Sequence, residues 1–280
     1  MRSTASTYGQ WWPDTTRRAQ DMSAALVTGA AQRLGRAMAL ELAGQGYDIA
    51  VHYHGSDDAA RTLVAEIRAT GRRAEALRAD LTVEADMQAL VDRAVQALDQ
   101  PLSVLVNNAS IFEYDNITSA SRDGWDRHME SNLRAPFVLT QNFAAQVADP
   151  VQDAGGEPRA QGLIVNMLDQ RVRKLTPEFT SYTLAKMGLW ALTQTSAMGL
   201  APRVRVNAIG PGPTLKGARQ SQAHFDNQRQ ATILERGSDP DDICAALAYL
   251  LRARAVTGQL ICVDGGQHLA WRTPDILGAE

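Results

Sequence analysis

From residue 24 onward the chain alternates short apolar runs with longer amphipathic stretches, and this alternation admits few architectures. The short runs cover residues 24–28, 48–53, 73–78, 103–107, 162–168, 204–208 and 259–263. Helix-length stretches separate them at 34–45, 57–70, 83–98, 122–148, 181–200 and 240–252. Strand, helix and strand in succession close into a parallel unit with a right-handed crossover. The expected fold class is α/β, a doubly wound parallel sheet of about seven strands with helices on both faces. No internal linker is visible, so residues 23–280 read as one domain. The stretch 149–161, rich in Gly, Pro and charge, reads as a surface loop before the fifth strand.

At 280 residues and 45% hydrophobic content the chain can bury a substantial core. A net charge of −3 gives no general attraction to nucleic acid or anionic lipid. No segment approaches the roughly 20 apolar residues of a bilayer span, and residues 1–21 lack the apolar core of a signal peptide. Neither nucleic acid nor membrane is an expected partner, and the expected location is cytoplasmic. Residues 1–22, with Trp11, Trp12, Arg17 and Arg18, show no period and read as a flexible arm. Its two tryptophans could instead dock on a partner subunit. Cys244, Cys262 and the five histidines show no ligand spacing, so no metal is expected and the thiols read as buried.

Thr28-Gly29-Ala30-Ala31-Gln32-Arg33-Leu34-Gly35 follows the first strand and opens the first helix, as a glycine-rich dinucleotide loop of a Rossmann-type sheet must. Gly29 allows the tight turn, and Gly35 lets the helix amino terminus, with its free N–H groups, approach a pyrophosphate. A fold of this kind that prefers NAD ends its second strand in an acid that binds the ribose diol. Here that position reads His52-Tyr53-His54-Gly55-Ser56, without an acid. Arg33, His52, His54 and Ser56 could instead hold a 2′-phosphate, which favours NADP(H). The plainer alternative makes Arg33 a solvated helix-start residue and the histidines strand residues.

Farther along, Tyr182 and Lys186 sit four apart, on one helical face and one turn from each other. A free phenol has a pKa of about 10, and a neighbouring ammonium lowers it by favouring the phenolate, which makes a usable general acid. Asp169 closes the fifth apolar run, so its carboxyl group is expected at the carboxyl end of a parallel strand, where such sheets bind ligands. Tyr-x-x-x-Lys also arises by chance on amphipathic helices, and its weight here comes from the glycine loop upstream.

With residues 28–35, Asn107-Asn108-Ala109-Ser110, Asn132, Tyr182-x-x-x-Lys186 and Gly210-Pro211-Gly212 in order, the chain resembles a short-chain dehydrogenase/reductase from about residue 24 to residue 266. Arg33 and Ser110 stand where most of that family has glycine, and Asp169 stands where most have the catalytic serine. These departures, with His-Tyr-His-Gly-Ser at 52–56, resemble the pteridine reductase branch, including the bacterial dihydromonapterin reductases. The resemblance implies an adenine pocket at Asp80 and Leu81, and cofactor ribose and phosphate surroundings at Asn108, Ala109 and Ser110. It implies that Phe112 stacks on a pterin and that Pro211, Gly212, Thr214 and Leu215 border nicotinamide and substrate. Thr214 stands for a phosphate-contacting serine, and Gly55 for an arginine that grips the 2′-phosphate, which implies a weaker NADP(H) preference.

The resemblance also implies a mechanism. Lys186 holds the nicotinamide ribose, Asn132 anchors a water for proton resupply, and a ring C=N takes a hydride while Tyr182, supported by Asp169, protonates its nitrogen. Asp169 in an apolar setting should have a raised pKa, opposed by Lys186 or Arg171. Phe112 has an alternative role in packing. Residues 216–230 read as a lid or as a helix solvated on one face, and Trp125, Trp190 and Trp271 as core or subunit contacts. The family implies a homotetramer packed through residues 122–148 and 181–200. Two rival functions stay open: an NADPH-dependent carbonyl or 3-oxoacyl reductase of the same family, and a non-catalytic NADP(H)-binding regulator.

Overall fold

Strand β1 (Ser23–Val27) shows why the sheet is covered on both sides. Ala25 and Val27 enter one buried apolar cluster, while Ala24 and Leu26 enter another, because successive side chains of a strand point to opposite faces. The computed structural model describes residues 23–217 and 220–271. From β1 the chain runs through α1 (Arg33–Gly44), β2 (Tyr47–Tyr53), α2 (Asp57–Ala69), β3 (Ala74–Arg78) and α3 (Glu84–Leu98) to β4 (Leu102–Asn107). Then come α4 (Arg122–Met129), a π-helical turn (Glu130–Arg134) and α5 (Ala135–Gln146), followed by the short strands β5 (Val151–Gln152) and β6 (Pro158–Arg159). The rest is β7 (Gly162–Met167), a 3₁₀ turn (Gln170–Val172), α6 (Thr180–Gly199), β8 (Val204–Pro211), α7 (Gln222–Gln230), α8 (Pro240–Arg252), β9 (Leu260–Val263) and a 3₁₀ turn (Gln267–Leu269).

Seven strands form one sheet in the order β3-β2-β1-β4-β7-β8-β9, and every neighbouring pair in it is parallel. On one face Met38 and Leu42 of α1, Leu63 and Ile67 of α2, and Ile243 and Leu247 of α8 pack on it. Met87 and Leu90 of α3, with Val138, Leu139 and Phe143 of α5, cover the other. Burying each such side chain contributes roughly 1.5–3 kcal/mol, so the two clusters are the principal force holding helices to sheet. The expected Rossmann-type architecture is the one observed. Among the described residues, no helix is long and apolar enough to cross a membrane.

Most sequence boundaries hold to one residue, but β8 runs on to Pro211 because Gly210 and Pro211 pair with Cys262 and Val263. The single helix expected over 122–148 is broken by the π turn. The expected loop 149–161 contains a small antiparallel hairpin, with Val151 opposite Arg159. Within the expected lid, Gln222–Gln230 is helical with no buried residue, while residues 218 and 219 lie outside the described set. The proposed arm, 1–22, and the terminal residues 272–280 also lie outside it. Cys244 is buried, whereas Cys262 is only partly so; burial pushes both thiols up, to about 11.

Candidate active site

In the sheet order β4 lies beside β1 on the side opposite β2, and at such a reversal of strand order a crevice opens at the carboxyl ends of the strands. A cleft of ≈ 590 Å³ lies there, within the roughly 300–1,000 Å³ typical of small-molecule sites. It is lined from the ends of β1, β2, β3, β4, β7 and β8, by residues from Gly29, His52, Asp80, Asn108, Met167 and Pro211 onward.

The glycine loop is a close-fitting cradle. Gly29 has φ +60°, and a Cβ there would lie 3.0 Å from Ala109 Cα. At Gly35 a Cβ would lie 2.2 Å from the Gly29 carbonyl oxygen and 2.6 Å from Asn108 Nδ2. Asn108 ties this loop to β4: its Nδ2 donates to the Thr28 carbonyl at 2.8 Å. The Thr28 hydroxyl accepts the backbone N–H groups of Asn108 and Ala109 at 2.8 and 2.9 Å. Helix α1 starts with no side-chain cap and no acid in its first turn, so the positive end of its dipole faces the cleft unopposed, beside Arg33, Leu34 and Gly35. These features fit a dinucleotide pyrophosphate. Arg33 itself has φ 55°, and its guanidinium donates to the Leu215 and Lys216 carbonyls at 3.0 and 3.1 Å, bridging α1 to the segment after β8.

At the adenosine end the expectation for His52 needs correction. Its Nδ1 accepts the Gly29 N–H at 3.0 Å and its Nε2 meets the Ala79 carbonyl at 3.2 Å. Burial pushes its pKa down to about 4. A neutral ring with both nitrogens engaged props the loop and does not face a phosphate. His54 Nε2 lies 3.8 Å from Asp80 Oδ2. The Thr82 hydroxyl and backbone N–H donate to Asp80 at 2.7 and 2.9 Å and hold its carboxyl below the usual range. Leu81 is buried beside it. Ser56 precedes α2 without a side-chain cap bond, and beside Gly55 an added Cβ would meet nothing within 4 Å.

At the other end the structure brings Asp169, Tyr182 and Lys186 together. The Tyr182 hydroxyl donates to Asp169 Oδ2 at 3.1 Å, and the Arg171 backbone N–H donates to Asp169 Oδ1 at 2.8 Å. Burial pushes the Asp169 carboxyl up. Burial first, then the Asp169 charge, pushes the Tyr182 phenol well above its usual value. This overturns the expectation that Lys186 lowers the phenol. Lys186 Nζ donates to the Met167 carbonyl at 2.8 Å and lies 5.7 Å from the Tyr182 ring centroid, and burial lowers its own pKa to about 8. Asn132 is likewise committed: Oδ1 accepts the Ile111 N–H and Nδ2 donates to the Ile111 carbonyl, both at 2.9 Å. Its side chain therefore fixes the β4 exit loop against the π turn. Ser110 stands beside the Tyr182 hydroxyl.

Phe112 is half exposed, with its ring centroid 4.7 Å from that of Tyr182 at 71°, and it stacks on Phe179 at 4.4 Å and 10°. Gly212 lets the chain pass Asp264, whose Cβ would be 2.6 Å from an added one. The Thr214 hydroxyl meets Ser238 Oγ at 2.5 Å and donates to the Gly212 carbonyl at 3.2 Å, so it braces the β8 exit turn. Among the described residues no group of three or more His, Cys, Asp or Glu could hold a metal ion.

The profile of a family described as enoyl-(acyl carrier protein) reductase matches residues 29–268. A short-chain dehydrogenase/reductase of Hericium erinaceus is 32% identical over 252 residues, covering 87% of this chain and 96% of that one. The chain belongs to the short-chain dehydrogenase/reductase family. A 3-oxoacyl-[acyl-carrier-protein] reductase of Staphylococcus epidermidis is 31% identical, covering 88% of this chain and 98% of its own. Among solved structures, an alternative dihydrofolate reductase 1 (FolM) of Brucella suis in complex with NADP is 41% identical at a TM-score of 0.84, covering 91% of this chain and 98% of that one. Its Brucella canis counterpart with NADP is 39% identical at 0.82, with the same coverage.

Within this short-chain dehydrogenase/reductase, sequence reading missed Phe179, which has φ 59° and carries the Arg171 guanidinium 4.8 Å from its ring centroid. It also missed Ser238 behind Thr214 and Asp115 below α6. A left-handed phenylalanine has no sequence signature. Trp190 packs on the cluster of Leu168, Val172 and Leu189, and Trp125 and Trp271 are exposed.

Proposed function

We propose that this protein is an NADP(H)-dependent reductase of a pteridine, with dihydropterin or dihydrofolate as the substrate class. The observation that carries the reading is the 3.1 Å hydrogen bond from Tyr182 to a carboxyl group, Asp169, at the position where most of the family has serine. NADP(H) is the cofactor; its hydride supplies the reducing equivalent. The glycine cradle, Asn108 to Ser110 and Pro211 to Thr214 would hold it, with Lys186 at the nicotinamide ribose and His54 and Ser56 near the 2′-phosphate. Both FolM neighbours were solved with NADP, which supports this cofactor.

The chain's own residues supply the proton. Burial favours the neutral forms of both Asp169 and Tyr182, so the pair retains a proton near neutral pH and can give it to a ring nitrogen. A basic imine nitrogen accepts a proton more readily than a ketone oxygen, which makes a carboxyl group useful here. Such proton donation contributes about 10²–10⁴-fold in rate. Phe112, half exposed beside Tyr182, offers a flat apolar wall for a planar ring. Exposed Trp125, Phe137, Leu184 and Met187 on α4, α5 and α6 support assembly through those helices as a homotetramer, and a cytoplasmic location accords with such an enzyme.

The 3-oxoacyl reductase relatives favour a second reading, reduction of a ketone or 3-oxoacyl thioester, with Asp169 polarising the carbonyl. Steady-state NADPH oxidation with dihydropterins, dihydrofolate and simple ketones separates the two. Turnover confined to ketones would remove the pteridine reading.

A further inference from the structure

Outside the proton-donating pair, a buried chain of hydrogen bonds joins three elements of the site. Asp115 lies on the segment after β4, His128 on α4 and Ser181 in the first turn of α6. His128 is 1% exposed, Ser181 0% and Asp115 7%. The Glu113 backbone N–H donates to His128 Nε2 at 3.2 Å, which leaves Nδ1 as the protonated nitrogen of a neutral ring. That Nδ1–H donates to Ser181 Oγ at 2.6 Å, and the Ser181 hydroxyl donates in turn to Asp115. The donor and acceptor roles thus run one way, from the Glu113 amide to the Asp115 carboxylate.

Asp115 also caps α6 from outside. The helix follows Phe179, which provides no side-chain cap. Instead the Asp115 carboxylate accepts the Ser181 backbone N–H at 3.2 Å, and the Asp115 carbonyl accepts the Phe179 N–H at 2.7 Å. A carboxylate at a helix amino terminus is favoured by the helix dipole. Burying one among neutral donors nonetheless costs free energy that apolar packing would avoid. The cost secures a defined separation: Phe112 is three residues before Asp115, Tyr182 is the residue after Ser181, and their rings are 4.7 Å apart.

We infer that Asp115, His128 and Ser181 are positioning residues that clamp the Phe112 segment to the first turn of α6 and set the width of the slot beside Tyr182. The flat shape of the substrate rests on the function proposed above; the clamp does not.

Hydrogen exchange of the full chain, read by mass spectrometry over residues 111–116, tests the clamp directly. Ser181→Ala should exchange there about tenfold faster than the wild type, with the strands of the sheet unchanged, as local release of one cooperative unit requires. Unaltered exchange in that segment overturns the clamp. In kinetics the same variant should raise the KM for the heterocycle about tenfold, part of what its two lost buried hydrogen bonds contribute, while the Kd for NADPH stays put. Equal weakening of both, or of neither, overturns the positioning role. Asp115→Ala removes the Ser181 hydroxyl's bond from the other end, together with the cap on the Ser181 backbone N–H, and serves where Ser181→Ala is insoluble. If the wild type reduces ketones and no pterin, the proposed function falls, and the exchange result still decides the clamp.

Discussion

The Tyr182 hydroxyl hands its hydrogen bond to Asp169 Oδ2 at 3.1 Å, and the Lys186 ammonium turns away from it to the Met167 carbonyl at 2.8 Å. In this arrangement the phenol keeps its proton, because burial first and the Asp169 carboxyl group second hold its pKa up.

Removing the carboxyl group should therefore remove chemistry and spare cofactor binding. Asp169→Ala is expected to lower kcat by about 10²–10⁴-fold, with NADPH affinity, measured by fluorescence titration, unaltered. In the wild type the Asp169 pKa is raised, so kcat should hold through the ordinary carboxylate range and fall only above it. That limb should be absent from the residual activity of Asp169→Ala.

Lys186 gives a stability prediction with the opposite sign. Its pKa is lowered from 10.5 to about 8 by burial, so charging it disfavours the folded state. Its contribution is favourable above the unfolded value and is lost as pH falls through about 8. Lys186→Met should consequently gain stability relative to the wild type at pH 7, on the order of 3 kcal/mol less the lost Met167 hydrogen bond. Urea denaturation at pH 7 and again above pH 10 should show that gain shrinking at the higher pH.

Gly55 stands in open space at the mouth of the adenosine end. Gly55→Arg should fit without displacing a neighbour and add a charge-assisted contact to a 2′-phosphate, worth roughly 1.5–3 kcal/mol. The ratio of kcat/KM for NADPH over NADH should rise by about tenfold or more. No change in that ratio would place the 2′-phosphate elsewhere.

Gly35 is the converse case, since a Cβ would fall 2.2 Å from the Gly29 carbonyl. Gly35→Ala should cost roughly 1–3 kcal/mol of stability and weaken NADPH binding more than any substitution on the exposed face of α1. Thermal unfolding with and without NADPH reads both effects.

Much of the fold was legible because strands buried on both faces form continuous apolar runs. The cradle was legible too, since its glycines answer a local backbone demand at Gly29 and a close approach at Gly35. The π turn at Glu130–Arg134 was not, because helical periodicity runs through it. The direction of the Tyr182 shift was hidden as well: four-residue spacing puts Lys186 on the right face but says nothing of burial, which decides the sign. Asp115 was out of reach of any local pattern, since its partner Ser181 lies 66 residues away in sequence.

The most direct measurement is a single turnover of NADPH-loaded enzyme mixed rapidly with a dihydropterin, followed by the loss of reduced-nicotinamide absorbance, for the wild type and Asp169→Ala. Fast stoichiometric oxidation by the wild type, slowed about a hundredfold or more in the variant, is the predicted result. Equal rates in the two proteins, or oxidation by the wild type only with ketones, would contradict it.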